Sequence, residues 1–196
     1  MKALIYILAT AAMISSCRSV EKLIDQGDFD TAMLKSMRKL SGKEQLKEKY
    51  VVAIEEAFAK ATSRDMSYIK NQFDSERASD WYQIIERLRK IERRQNLLSP
   101  MLPLISREGR KADFAFIRTS LLLDSAIQQF HQFTLLDAEQ LMEEARLGNK
   151  ESARDAYYML ERLGEFSRPS TIVKDLQREA RELGVTHISV GVQNRT

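Results

Sequence analysis

Apolar residues recur every three or four positions along most of the chain that follows residue 17. Six such stripes can be traced, and each is accompanied by positions rich in Lys, Arg, Glu and Gln. The stripes cover residues 46–61, 81–91, 114–127, 135–145, 153–163 and 172–183. Apolar residues at this spacing form one face of an α-helix, and that face is normally buried. The pattern therefore predicts an all-α protein whose core is built from the stripes.

Residues that favour helix ends lie between several of these stripes. Gly148 and Gly164 can adopt conformations that end a helix, and Ser170 can cap the start of the last one. Ser41, with Glu44 three residues later, matches the capping box that opens a helix. These signals predict helix pairs joined by short turns.

The tail of the chain has a different pattern. Val185 to Val192 alternates in polarity and is rich in β-branched residues, which is typical of a strand. No other segment is a good strand, so its backbone groups have no evident partner. We therefore predict one C-terminal β-strand within a tail of residues 185–196, either docked on the helices or lacking its partner strands.

The N-terminus resembles the signal peptide of a bacterial lipoprotein. Met1-Lys2 supplies a positive start, and Ala3 to Ile14 is apolar apart from Thr10. This run is too short to cross a bilayer, which takes about 20 residues. It ends in Ile14-Ser15-Ser16-Cys17, which resembles the lipobox, an aliphatic residue and two small ones before a cysteine. An ordinary secretory signal with an incidental cysteine is the alternative.

The lipobox resemblance implies an acylated protein. Residues 1–16 would be removed, and the thiol and new α-amine of Cys17 would carry acyl chains that bind membrane lipid. Several chains anchor a protein far more firmly than one. Because Arg18 is not acidic, the sorting rule of such lipoproteins favours the outer membrane, facing the periplasm. Cys17 is also the only cysteine, which excludes an intrachain disulfide.

Two junctions resemble the turn of the tetratricopeptide repeat. Gly27-Asp28-Phe29-Asp30-Thr31-Ala32 and Gly148-Asn149-Lys150-Glu151-Ser152-Ala153 both place a glycine five residues before a small alanine. In that family the glycine lies in the turn, and the alanine lets the paired helices approach closely. The resemblance implies a short TPR-like solenoid of stacked antiparallel helix pairs over residues 17–184. A generic antiparallel helix bundle remains the alternative.

No constellation of reactive residues points to an enzyme, and we expect neither a cofactor nor a metal. His131 is expected to pack near a helix end, and His187 lies in the predicted strand. Glu143, Glu144 and Glu161 could approach one another on neighbouring helices. The adjacent arginines favour solvated ion pairs over acid–base chemistry for these carboxylates.

A basic cluster lies in the middle of the chain, downstream of Trp81 and Tyr82. Its members are Arg87, Arg89, Lys90, Arg93, Arg94, Arg107, Arg110 and Lys111. The net charge of +3 is close to balance and acidic residues interleave with the cluster, so we expect no nucleic-acid partner. A membrane surface or cell-wall polymer suits such a face better, although a solvated helix face is the default.

These features together predict a membrane-anchored, non-catalytic envelope lipoprotein. Its expected role is that of a scaffold or adaptor that binds an envelope protein through its helical surface. The alternative is a structural envelope protein that contacts cell-wall polymer or membrane through the basic face. The lipobox, the helix pairs and the ending of the chain are together similar to a group of uncharacterised bacterial lipoproteins that continue into a further domain.

Overall fold

The computed structural model describes residues 19–166 and 168–186. Within them the chain forms seven α-helices and a short 3₁₀ helix, Ser99–Met101. The α-helices are α1 (Val20–Asp25), α2 (Phe29–Leu40), α3 (Glu48–Gln72), α4 (Ala78–Leu98), α5 (Ser120–Arg146), α6 (Lys150–Leu163) and α7 (Thr171–Gly184). The β pairing of these residues is limited to one isolated bridge between Ile105 and Lys111. The predicted all-α fold is confirmed.

The described chain forms two compact units. Among the described residues, the first unit comprises residues 19–70 and 87–119, and the second comprises residues 71–86, 120–166 and 168–186. Helix α3 ends in the second unit, whereas α4 begins there and ends in the first.

The core of the first unit is formed by α1, α2, α3, the end of α4 and the segment that follows it. Phe58 of α3 packs edge-on against Phe114, with ring centroids 5.5 Å apart. The segment after α4 folds back on itself, because the N–H of Ala112 donates to the carbonyl of Leu104 at 3.0 Å. The core includes Leu23, Met33, Leu40, Val51, Ile54, Phe58, Leu98 and Leu104.

The second unit contains α5, α6 and α7, which all contact one another. Small side chains line their contact: Ala145, Ala153, Ala156 and Ala180 are at most 3% exposed. Because an alanine projects little beyond the backbone, helices with alanine at the interface can pack closely. Leucines and Tyr157 cover the edges of this alanine-rich core.

The two glycine junctions have the same backbone geometry. Gly27 and Gly148 adopt left-handed conformations, with φ of +74° and +103°. The N–H of each glycine donates three residues back, and the N–H of the next residue, Asp28 or Asn149, donates five residues back. This is a Schellman motif. Asp28 and Asn149 then accept hydrogen bonds from the first turn of the following helix, so each caps it.

Other predicted boundaries have mixed outcomes. Ser170 caps α7 by accepting from the N–H of Val173 at 3.3 Å, and Gly164 caps the end of α6. The predicted capping box at Ser41 is wrong, because Ser41 ends α2 and α3 begins only at Glu48. The chain turns at Gly42, whose φ is +70°, and the residues that separate the two helices are polar apart from Gly42 and Leu46.

The apolar stripe predicted over residues 114–127 is helical only from Ser120 onwards. The side chain of Gln95 explains the difference. Its Nε2 donates to the carbonyl of Ile117 at 3.0 Å, and its Oε1 accepts from the N–H of Ile117 at 2.6 Å. Because Gln95 satisfies both backbone groups of Ile117, this residue needs no helix.

The end of α7 is held by α6. Lys150 Nζ donates to the carbonyl of Val185 at 3.1 Å, and Arg154 Nε donates to that of Gly184 at 3.3 Å. From residue 187 onwards the predicted C-terminal strand lies outside the described residues. None of the helices in the described ranges is long and apolar enough to cross a membrane.

Candidate functional site

The predicted lipid-attachment residue, Cys17, lies outside the described residues, as do the signal segment of residues 1–16 and His187. Acylation of Cys17 therefore stays a prediction. The expected position of His131 near a helix end is wrong, because it lies in the middle of α5. Its ring is 6.4 Å from that of Phe130. Burial lowers the pKa of His131, which favours the neutral ring that a packing role requires.

Of the three predicted carboxylates, Glu144 makes a structural contact. Glu144 Oε2 accepts a hydrogen bond from Ser152 Oγ at 2.6 Å, which links the end of α5 to the start of α6. Arg146, beside Glu143, forms two hydrogen bonds with Glu179 of α7, at 2.7 and 3.0 Å. Among the described residues no group of three or more His, Cys, Asp or Glu side chains is arranged to hold a metal ion.

Much of the predicted basic cluster is neutralised within the first unit. Arg94 is only 2% exposed, and its guanidinium contacts two carboxylates. Its Nη1 donates to Asp65 Oδ2 at 2.7 Å, while Nε and Nη2 donate to Asp30. Arg87 donates to the other oxygen of Asp65 at 2.8 Å and stacks on Tyr68, 3.8 Å from the ring centroid. Sequence reasoning predicted none of these partners.

The charges of this network stabilise one another. The hydrogen bond from Arg94 is the main cause that lowers the pKa of Asp30, and burial opposes it. Burial disfavours the charged form of Arg94, but hydrogen bonds to Asp30 and Asp65 raise its pKa above the ordinary value. Both groups therefore stay ionised at neutral pH.

Two further arginines of the cluster are also paired. Arg110 Nη2 lies 2.6 Å from Glu55 Oε2, and Arg107 Nε lies 2.7 Å from Glu108 Oε1. At least four of its eight members are thus bound to carboxylates. The cluster is not a continuous free cationic face.

The first unit instead contains an open apolar groove that the sequence analysis did not predict. Its volume is about 520 Å³. The groove lies between the second half of α2, the loop after it and the 3₁₀ helix. Its apolar walls are formed by Leu34, Met37, Leu40, Leu46, Met101 and Leu104. Among the residues that line it, the one charged side chain is Arg38.

Local structure explains how these side chains come together. Leu34 and Met37 are spaced as i and i+3, so they lie on one side of α2, and Ser41 follows directly after the helix. The turn at Gly42 reverses the chain, and the carbonyl of Leu46 is then fixed by the N–H of Arg107 at 2.8 Å. Leu46 therefore packs at the edge of the core without belonging to a helix.

Leu34 gave the signal that could have revealed the groove. It lies outside the buried row of α2, which contains Met33, Ser36 and Leu40. Leu34 is 36% exposed in the structure. It lies next to Met37, which is also only partly buried. An apolar residue next to the buried row of an amphipathic helix widens the apolar face beyond what the core covers.

Comparison with known proteins gives no relative. No protein-family model matches the chain, no curated protein matches it, and no solved structure matches its fold. The functional argument therefore depends on the residues of this chain. The apolar groove is the feature that carries it furthest.

Proposed function

We propose that the protein is a lipid-anchored, non-catalytic adaptor of the bacterial cell envelope. In this proposal Cys17 holds it to the outer membrane, facing the periplasm, and the apolar groove of the first unit binds a segment of a partner protein. The observation that carries the proposal is the groove itself. The segment Ile14-Ser15-Ser16-Cys17 supports the anchor.

The shape and lining of the groove favour a protein segment over a small polar ligand. Its walls are apolar, and the groove is open along α2, so an apolar side chain can enter from outside. Met37 and Met101 are flexible and polarisable, which suits a surface that adapts to a partner. A fully buried Leu or Phe side chain contributes roughly 1.5–3 kcal/mol, so two such anchors suffice for a weak specific complex.

Arg38 defines the orientation of the partner. Within the described chain it has no acidic partner, and it lies at the end of the apolar row of α2. We therefore propose an amphipathic helix that places apolar residues at i, i+3 or i+4 in the groove and a carboxylate near Arg38.

Site-specific photocrosslinking in cells tests this proposal. A photoreactive residue replaces Leu34 in one version of the full chain and Leu121 in a second. Leu121 is 77% exposed and does not line the groove, so it serves as the matched control. We expect a discrete protein adduct from position 34, none from position 121, and loss of the adduct when Met37→Glu is added. Equal adducts from both positions, or an adduct that survives Met37→Glu, would refute the proposed groove.

The alternative, a structural role through the basic face, receives less support. The ion pairs of Arg87, Arg94, Arg107 and Arg110 remove much of the free positive charge that cell-wall polymer or anionic lipid would need. Sedimentation of the protein with purified cell-wall polymer, abolished by Lys90→Gln/Arg93→Gln but unaffected by Met37→Glu, would favour that role instead.

A further inference from the structure

A smaller cavity continues the apolar groove of the first unit. Its volume is about 190 Å³, and it lies between α2 and the second half of α4. On α4 this side cavity is lined by Lys90, Arg93, Arg94 and Leu97. Leu34 lines both the side cavity and the groove, so the two are adjacent and belong to the same unit. Together they form what we call the extended groove.

The two parts of the extended groove follow α2 one after the other. The side cavity is lined by residues of α2 from Asp30 to Leu34, and the groove by residues from Leu34 to Ser41. At 1.5 Å per residue, the stretch from Asp30 to Ser41 is about 16 Å long, which is the length of about three helical turns. Leu34 and Leu97 are 36% and 41% exposed on this surface. The extended groove is therefore long enough for a helix that places several apolar side chains in it.

The charged side chains of the extended groove are predominantly basic. Its one carboxylate, Asp30, accepts hydrogen bonds from Arg94 at both oxygens and is therefore compensated. The remaining charged residues are Arg38, Lys90 and Arg93, which are exposed and form no ion pair with a described residue. The lining thus presents three uncompensated positive charges beside apolar walls.

These positive charges occur in both parts of the extended groove. Lys90, Arg93 and Leu97 are spaced as i, i+3 and i+7, so both cations lie on the same side of α4 as an exposed leucine. Arg38 lines the groove on α2. A partner with apolar side chains in the extended groove therefore meets positive charge along its length. Complementary charge favours an acidic partner and disfavours a basic one.

We infer that the extended groove recognises an acidic amphipathic helix of about three turns. The inference rests on the proposed protein-binding function and specifies the length and charge of the partner segment. Apolar residues of the partner enter the groove and the side cavity. Its acidic residues pair with Arg38 in the groove and with Lys90 and Arg93 beside the side cavity.

Calorimetric titration of the full chain with three synthetic peptides tests the inference. Each peptide forms a helix of about three turns with leucine at every third or fourth position. The residues beside the leucines are glutamate in the first peptide, glutamine in the second and lysine in the third. We expect the glutamate peptide to bind at least tenfold more tightly than the glutamine peptide, and the lysine peptide to show no binding. Because salt screens exposed charges, the preference for glutamate should shrink as the NaCl concentration rises.

The matched variants are Lys90→Gln/Arg93→Gln and Lys39→Gln/Lys70→Gln. The first should weaken binding of the glutamate peptide at least fivefold and leave binding of the glutamine peptide unchanged. The second removes the same charge from exposed lysines of the same unit that do not line the extended groove, so the affinity should change by less than twofold. Met37→Glu should abolish binding of both peptides.

The outcomes separate this inference from the proposed function. Equal affinity for the glutamate and glutamine peptides, lost in Met37→Glu, would overturn the inference but leave the groove as a binding site for an uncharged helix. Absence of binding by every peptide would also overturn it, and the photocrosslinks from position 34 would decide the proposed function separately. Binding that is lost in Lys90→Gln/Arg93→Gln but survives Met37→Glu would show recognition of a diffuse polyanion, which likewise overturns the inference.

Discussion

Removing the carboxylate of Asp65 should destabilise the first unit far more than removing an exposed carboxylate. Asp65 is 1% exposed and receives hydrogen bonds from Arg87 and Arg94 at 2.8 and 2.7 Å. In Asp65→Ala the buried Arg94 keeps only Asp30, and the Asp65 end of its guanidinium faces no acceptor. Removing one partner of a buried pair typically costs about 3–5 kcal/mol. Because Asp30 still neutralises Arg94, we expect about 3 kcal/mol, a large share of the stability of an ordinary domain.

The assay is urea unfolding of the full chain, followed by circular dichroism at 222 nm. The matched control is Glu179→Ala, which removes two hydrogen bonds of similar length from an exposed ion pair with Arg146. Exposed pairs contribute little to stability, so this variant should unfold near the wild-type midpoint. A second variant, Asp65→Leu/Arg94→Met, removes both buried charges and should recover much of the loss. The reasoning is refuted if Asp65→Ala unfolds at the same urea concentration as Glu179→Ala.

Three further predictions address the anchor, the helix packing and the pH dependence. A fatty-acid analogue should label the wild-type chain but not Cys17→Ala, which should also leave the membrane fraction; equal labelling would contradict acylation at this residue. Ala153→Leu should lower the free energy of unfolding by about 1–3 kcal/mol, measured by thermal unfolding. The reason is that Ala153 is fully buried in the alanine-rich core, which a larger side chain would overfill. An unchanged melting temperature would show that this core has room for the larger side chain. The hydrogen bond from Arg94 lowers the pKa of Asp30 in the folded state. The contribution of ionised Asp30 to the free energy of unfolding is therefore fully present above the unfolded aspartate pKa of about 3.9, and it is lost as the pH falls through the lower pKa of the folded state. The stability difference between wild type and Asp30→Asn should therefore be constant from pH 7 to about 5 and shrink only below about pH 3.9; a difference that disappears by pH 5 would contradict the pairing.

The sequence predicted best the features that depend on neighbouring residues. Gly148 and Asn149 define their turn through hydrogen bonds that span at most five residues, and Ser170 caps α7 through a bond to Val173. The apolar residues that recur every three or four positions likewise identified α6, because this spacing matches the period of an α-helix.

The features that escaped prediction depend on contacts between distant residues. Arg94 is 64 residues from Asp30 and 29 from Asp65, so its burial and neutralisation have no local signal. Ile117 follows an apolar stripe, yet Gln95, 22 residues earlier, holds it outside a helix. The groove was missed for a similar reason, since Leu46 and Met101 come together only through tertiary packing.

The turn at Gly148 also constrains how the length of this chain can vary. The N–H of Asn149 donates the last hydrogen bond that ends α5, and its side chain caps the start of α6. Deleting or inserting a residue in this connection would therefore break one of these hydrogen bonds. One extra residue in a helix rotates everything after it by about 100° and advances it by about 1.5 Å. An insertion just before Gly148 would therefore turn the alanine face of one helix away from the other. The connection between α6 and α7, residues 164–170, is longer. We expect this connection to tolerate insertions and deletions better than the turn at Gly148.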